Sequence, residues 1–379
     1  MDIVLEKETW RARLAGPEDN GRLCDIMAEV DMQSDLHVVE ERDPDFFALH
    51  RLHQGEPYTL LIEDKTRKAE DPERVVSFCS AVIRDGWLNG RLQRVAYVCD
   101  LRMIRGYRKK RILPIACREF FSYLEKEKQV VAFYSSSLHD NKGAVAARRF
   151  SGGRILCHFN MVNLPLSGKP KPLQTNVQKA TEEDIGELAD FLNAQASQRQ
   201  FGYVFSEELL RQRLAAWPDL DINDFYLIRE LAGKDSSGNI VACCAPWNAA
   251  ASHLRKTRIM AYQRNMKWVK WIYNAEAHLR RFKPLPQPGG YLQQINLTHL
   301  EAKDDNPVLL KELIKAVFND YRQQDFHFIS LMMPCDSPLE SALSGFRQQR
   351  IFFDLNCFTP GTQTRVLPSN RPGFEMAIH

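Results

Sequence analysis

Val95-Ala96-Tyr97-Val98-Cys99-Asp100-Leu101-Arg102-Met103-Ile104 runs into Arg105-Gly106-Tyr107-Arg108-Lys109-Lys110-Arg111 and then into Ile112-Leu113-Pro114-Ile115-Ala116. The first ten residues alternate, with Tyr97, Cys99, Leu101 and Met103 on one face of a strand and Asp100 and Arg102 on the other. Ile112, Ala116, Phe120 and Leu124 recur at helical spacing, and Pro114 is tolerated in a first turn whose amides lack partners within the helix. The pattern predicts a strand, a basic loop and a helix N-terminus. Unpaired amides and the helix dipole favour an anion at such a junction, and Arg and Lys can add charge-assisted bonds to a pyrophosphate. A run of charge is otherwise a solvated loop; its place between a strand and a helix start favours the phosphate role.

Outward from this segment, the chain repeats itself. Ala15-Gly16-Pro17-Glu18-Asp19-Asn20-Gly21-Arg22-Leu23-Cys24-Asp25 aligns with Ala180-Thr181-Glu182-Glu183-Asp184-Ile185-Gly186-Glu187-Leu188-Ala189-Asp190, and the same offset brings Val75–Cys79 onto Ile240–Cys244. Arg154-Ile155 followed by Asn160 matches Arg350-Ile351 followed by Asn356. Each copy predicts a capped helix, a strand meander and then β-α-β-α-β. That order gives an α/β (α+β) fold, a mixed twisted sheet with helices on both faces. The expected division is 1–162, a Pro-rich linker 163–176, a second copy 177–360 and a tail 361–379. Within the second copy, a segment near 250–290 has no counterpart in the first. It holds the aromatic and basic stretch Arg255–Phe282, whose aromatics are expected to pack inward; stacking on bases or lying on lipid are the rival readings.

Asp100-Leu101, Tyr107-Arg108 and Ile112 resemble the central motif of the GNAT superfamily of CoA-dependent N-acyltransferases. The resemblance implies two tandem GNAT-like domains and acetyl-CoA or another acyl-CoA as cofactor. It places Leu101, Arg102, Met103, Arg108, Lys109, Lys110, Arg111, Ile112, Leu113 and Asn141 around the CoA. Arg111 and Leu113 stand where the family has small residues that let the backbone approach the phosphates. Asn141 and Ala144 fit a later motif, in which Arg148 replaces the tyrosine that protonates the leaving thiolate. An arginine does not readily give up its proton, although it can stabilise a thiolate electrostatically. Asp100 is the candidate general base, with Glu63 on a neighbouring strand as the weaker choice; Asp100 otherwise pairs locally. Asn141 is otherwise a helix cap. Cys99 has no histidine partner identifiable in the sequence and reads as a core thiol.

In the second copy the matching loop, Glu301-Ala302-Lys303-Asp304-Asp305-Asn306-Pro307, is acidic and would repel a pyrophosphate, so one acyl-CoA site is expected. The leading reading is transfer of an acetyl or other acyl group to a small-molecule or peptide amine. A non-catalytic acyl-CoA sensor is the alternative, and a nucleic-acid module a third. With a net charge of +3 on 379 residues, a nucleic-acid partner is not expected. The nine cysteines show no zinc-ligand spacing, so no metal is expected. There is no apolar run of transmembrane length and no signal-peptide core near Met1, so a cytoplasmic protein without a membrane partner is expected.

Overall fold

The computed structural model describes residues 5–30, 36–107, 112–230, 238–280, 282–359, 361, 365–368 and 371–378. Arg108, Lys109, Lys110 and Arg111 therefore lie outside the described residues. In the first half, strands β1 (Leu5–Glu6) and β2 (Trp10–Leu14) precede helix α1 (Asn20–Glu29), β3 (Leu36–Glu41) and the single turn α2 (Ala48–Arg51). Then come β4 (Glu56–Asp64), β5 (Val75–Leu88), β6 (Arg91–Met103), α3 (Ile112–Lys128), β7 (Ala132–Leu138), α4 (Lys142–Ser151) and β8 (Arg154–Pro165). The second half follows with β9 (Gln178–Lys179), α5 (Ile185–Ser197), α6 (Glu207–Ala216), β10 (Tyr226–Arg229), β11 (Ile240–Trp247), β12 (Lys256–Tyr262) and α7 (Asn265–Arg280). It closes with β13 (Tyr291–Leu292), β14 (Gln294–Ala302), α8 (Pro307–Tyr321), β15 (Phe328–Pro334) and β16 (Gln349–Phe358).

The aligned helix starts share one local device. Asp19 accepts from the Gly16 amide at 2.8 Å and Asp184 from the Thr181 amide at 2.7 Å, each tying down the chain as it enters a helix. Arginines on nearby strands hold both carboxylates, Arg13 at 2.6 Å from Asp19 and Arg229 on Asp184.

Thirteen strands form one sheet in the order β1-β2-β4-β5-β6-β7-β16-β8-β15-β14-β11-β10-β9. The order is nearly symmetric about the β16–β8 pair, and the terminal strands have changed partners. β16, late in the chain, lies between β7 and β8, while β8 pairs with both β16 and β15. Asn163–Pro165 continue β8, and the segment after it runs along α8. There Asn319 bonds both the amide and the carbonyl of Lys171, and buried Glu312 accepts from the Gln174 amide at 2.6 Å.

Helices cover both faces of this sheet. In the first half, Phe120 and Leu124 of α3 pack with Leu60, Ile62 and Ile83, while Leu23 and Ile26 of α1 pack with Leu61 and Phe78 on the opposite side. Each fully buried side chain of this kind contributes about 1.5–3 kcal/mol. Leu49 and Leu52 beside α2 join the second-half core of α5, Trp217 and Trp247, closing the seam between the halves.

Two features depart from the sequence reading. The sequence near Asp43–Leu52 predicts a helical region, which in the structure is reduced to α2, and β3 has no counterpart in the expected element order. That strand pairs with β12 of the inserted segment, which with β13 makes a second, three-stranded sheet. The expected inward packing of the inserted aromatics holds for Tyr273, which is 1% exposed, but fails for Trp268 and Trp271, at 69% and 67%.

Candidate active site

β6 and β7 run parallel and are paired only at Val95–Ala132, Ala96–Phe133 and Tyr97–Tyr134. Beyond Tyr97 they splay, and β6 carries a bulge. Phe78 pairs with Arg102 and Ser80 with Cys99, so Asp100 and Leu101 together oppose a single residue of β5. Asp100 takes φ +52° to make this turn. The bulge breaks the alternation expected from sequence: Asp100 is 8% exposed and Leu101, expected on the apolar face, is 39% exposed. Past the bulge, Arg105–Tyr107 form a short turn and α3 begins at Ile112, which is buried. The junction of strand, loop and helix start is thus in place on either side of the basic residues. The Tyr107 hydroxyl bonds Asp64, and Arg102 lies 3.9 Å from Glu40. Ser77 donates to the Arg102 carbonyl at 2.7 Å, and Leu113 packs against the α3 core.

The Asp100 carboxylate is fully engaged. Arg42, just past β3, donates Nη1 to Oδ2 at 2.7 Å and Nη2 to Oδ1 at 2.8 Å, and His50 of α2 places Nε2 2.6 Å from Oδ2. Burial pushes this carboxyl upward, but Arg42 and His50 more than reverse that and keep it well below the usual carboxylate range. A carboxylate so stabilised is a weak proton acceptor, which corrects the reading of Asp100 as the base. The His50 Nδ1 atom, by contrast, is buried with no hydrogen-bond partner among the described residues. Cys99 Sγ lies 3.8 Å from His50 Nε2, the partner missing from the sequence. Burial and the Asp100 charge push the Cys99 thiol well up, so a thiolate nucleophile is disfavoured.

The other two catalytic candidates are occupied elsewhere. Glu63 sits at the β2 side of the sheet, bonded by Arg11 and by Arg13 at 2.8 Å, with Arg74 at 3.5 Å. Burial raises its carboxyl and these arginines lower it further than burial raises it. The Arg148 guanidinium on α4 donates to Asn356 at 2.9 Å and lies 3.6 Å from Asp354, both on β16. Arg148 thus compensates a buried carboxylate and does not offer a free cation. Asn141 caps α4, accepting from Gly143 and Ala144 at 2.9 and 3.2 Å.

Two groups have the composition of metal sites among the described residues, His50–Cys99–Asp100 and His139–His158–Asp354. The first has a cation, Arg42, on its carboxylate and a thiol that resists ionisation, both unfavourable to a metal. In the second, His139 and His158 bring Nδ1 to 2.7 and 2.8 Å from one oxygen of Asp354 while Arg148 faces the other. This buried carboxylate is satisfied by chain groups alone.

The second half repeats the splay and the bulge. β14 and β15 pair only at Gln294–Phe328, Ile295–Ile329 and Asn296–Ser330, and His299, at φ +51°, occupies the place of Asp100. Here the C-terminal segment enters the cleft. Glu375 accepts from the His299 amide at 2.9 Å. Arg371 lies 2.9 Å from Glu301, and Arg199 lies 2.6 Å from Asp305. The acidic loop thus binds the chain's own arginines. A cavity of ≈ 70 Å³ remains, lined by Tyr203, Arg213, His299, Met332 and Phe374.

Comparison with solved structures fixes what this architecture is. Saccharomyces cerevisiae N-myristoyltransferase with bound myristoyl-CoA matches with a TM-score of 0.61 at 12% identity, over 94% of this chain and 85% of that one. The chain has a GNAT-type fold. A probable N-acyltransferase from Enterococcus faecalis matches with a TM-score of 0.50 at 11% identity, over 92% and 72% of the two chains. A GCN5-related N-acetyltransferase from Sphaerobacter thermophilus matches with a TM-score of 0.50 at 10% identity, over 84% and 82%. No protein-family model and no curated protein sequence matches the chain. No helix among the described residues is long and apolar enough to cross a membrane.

Proposed function

We propose that this GNAT-type chain is an acyl-CoA-dependent acyltransferase with one cofactor site, in the first half. The observation that carries the reading is the splay of β6 from β7 past Tyr97–Tyr134, which leads through the Asp100 bulge to the start of α3. The unpaired stretch of β6 offers amides to a thioester carbonyl. Arg108, Lys109, Lys110 and Arg111, with the amides around Ile112 and Leu113, would take the pyrophosphate. The names of the structural neighbours, an N-myristoyltransferase with myristoyl-CoA among them, support an acyl-CoA ligand.

In this reading His50 is the base. With Nε2–H donated to Asp100, Nδ1, which has no partner among the described residues, is the atom that would take a proton from the acceptor amine. The amine nitrogen attacks the thioester carbon, a C–N bond forms, the C–S bond breaks, and CoA leaves as a thiolate that is protonated from solvent. Asp100 acts through His50 and is a positioning residue. The acceptor is a small-molecule or peptide amine.

A second reading has its own observation. A tightly paired Asp100, and Arg148 in the place of the family's tyrosine, suit an acyl-CoA-binding protein without turnover. CoA release, followed by chromatography with acetyl-CoA and longer acyl-CoAs over a panel of amines, separates the two. Amine-dependent release that falls at least tenfold in His50→Ala is expected for the enzyme. Acyl-CoA binding without release across the panel would leave the sensor.

A further inference from the structure

The inserted helix α7 has two apolar stripes, and only one is covered. Tyr273 and Ala277 are each 1% exposed, and Tyr273 with Met266 packs on the three-stranded sheet and on Phe328 of the main sheet. On the opposite side Trp268, Trp271, Ile272 and Leu279 are 69%, 67%, 54% and 83% exposed. With Ala275 they fall at helical spacing on one outward face. Contiguous exposed apolar surface of this kind marks a place of contact.

Charge decides between occupants. From Arg264 to Lys283 the sequence has six cations and one acid, a net +5, whereas the whole chain carries +3 and the remainder is therefore −2. The single acid, Glu276, is already paired with Arg280 and Arg347. Another protein surface would be met by mixed charge. A nucleic acid would need its cations on the face that carries the tryptophans. Indole rings beside leucine and isoleucine, with exposed Lys267 next to them in a basic stretch, match an interfacial helix on an anionic bilayer.

We propose that α7 docks the protein peripherally on an anionic lipid surface, with Trp268, Trp271, Ile272 and Leu279 inserted and Lys267 and its neighbouring cations on the headgroups. An interfacial helix of this kind sinks its apolar face about 5–10 Å into the headgroup boundary. The proposal does not depend on the acyl-CoA reading, since none of these residues lies in the β6–β7 cleft.

Co-sedimentation of the full chain with phosphatidylcholine vesicles, with and without phosphatidylglycerol, tests it. Binding to the anionic vesicles, weakened by salt and by about tenfold in Trp268→Ala/Trp271→Ala, is expected, with a blue shift of tryptophan emission. Leu279→Ser, at the most exposed of these positions, is expected to weaken binding while leaving the unfolding midpoint unchanged. Absence of binding to either vesicle, or binding indifferent to these variants, would overturn the proposal. So would a dimer in solution that Leu279→Ser dissociates, or salt-sensitive nucleic-acid binding in the absence of vesicle binding.

Discussion

Replacing Arg42 with methionine removes both charge-assisted bonds to Asp100, at 2.7 and 2.8 Å, and leaves a carboxylate that is 8% exposed without its bidentate cation. Breaking one partner out of a buried pair costs about 3–5 kcal/mol, because the remaining charge stays desolvated. Arg42→Met should therefore lose that much stability in urea unfolding of the full chain. Arg42→Met/Asp100→Leu removes both charges and should recover most of the loss, so the double-mutant cycle should report a coupling energy at least as large as the stability recovered. The pH dependence has a definite sign. The Asp100 carboxyl lies well below its unfolded value, so its stabilisation is complete above about pH 4 and fades as pH falls through the acid range. Asp100→Asn should flatten the stability profile there. A cost below about 1 kcal/mol for Arg42→Met would refute the reading of Arg42 and Asp100 as a buried pair in which each charge depends on the other.

Asn141→Ala should cost about 1 kcal/mol, since Asn141 accepts from two amides at the start of α4. Glu375→Ala leaves the His299 amide without its carboxylate and should destabilise by about 1–3 kcal/mol in the same unfolding assay. The hydrogen bond from His139 to Asp354 raises the histidine's pKa, so its contribution is complete below about pH 6.5 and declines as pH rises through the folded value. NMR titration should show a raised pKa for His139 that returns toward 6.5 in Asp354→Asn, roughly the value of a free imidazole.

The duplication was legible because it rests on local devices. The Asp19 and Asp184 caps, the β-branched runs at Val75 and Ile240, and the Asn306-Pro307 helix start each carry their signal within a few residues. Partner exchange was not legible. Ile351–Phe358 reads as a buried strand whether it pairs within its own half or, as observed, between β7 and β8, because pairing is set by contacts far apart in sequence. The bulge escaped for a related reason. Asp100 and His299 share a backbone conformation but no side-chain chemistry, and alternation predicts the wrong facing for Leu101. The partners of Asp100 were not legible, since Arg42 and His50 reach it from a segment far away in the sequence. For α7, the sequence showed an aromatic and basic stretch whose aromatics were expected to pack inward. That expectation failed for Trp268 and Trp271, because Met266 and Tyr273 supply a second apolar stripe that takes the inward place.

Calorimetric titration of the full chain with acetyl-CoA and a long-chain acyl-CoA addresses the central claim most directly, paired with Arg108→Ala/Arg111→Ala. One acyl-CoA bound per chain is expected, with affinity falling at least about tenfold in the variant as charge-assisted phosphate contacts are lost. No binding by the intact chain, two sites per chain, or undiminished affinity in the variant would contradict a single first-half cofactor site.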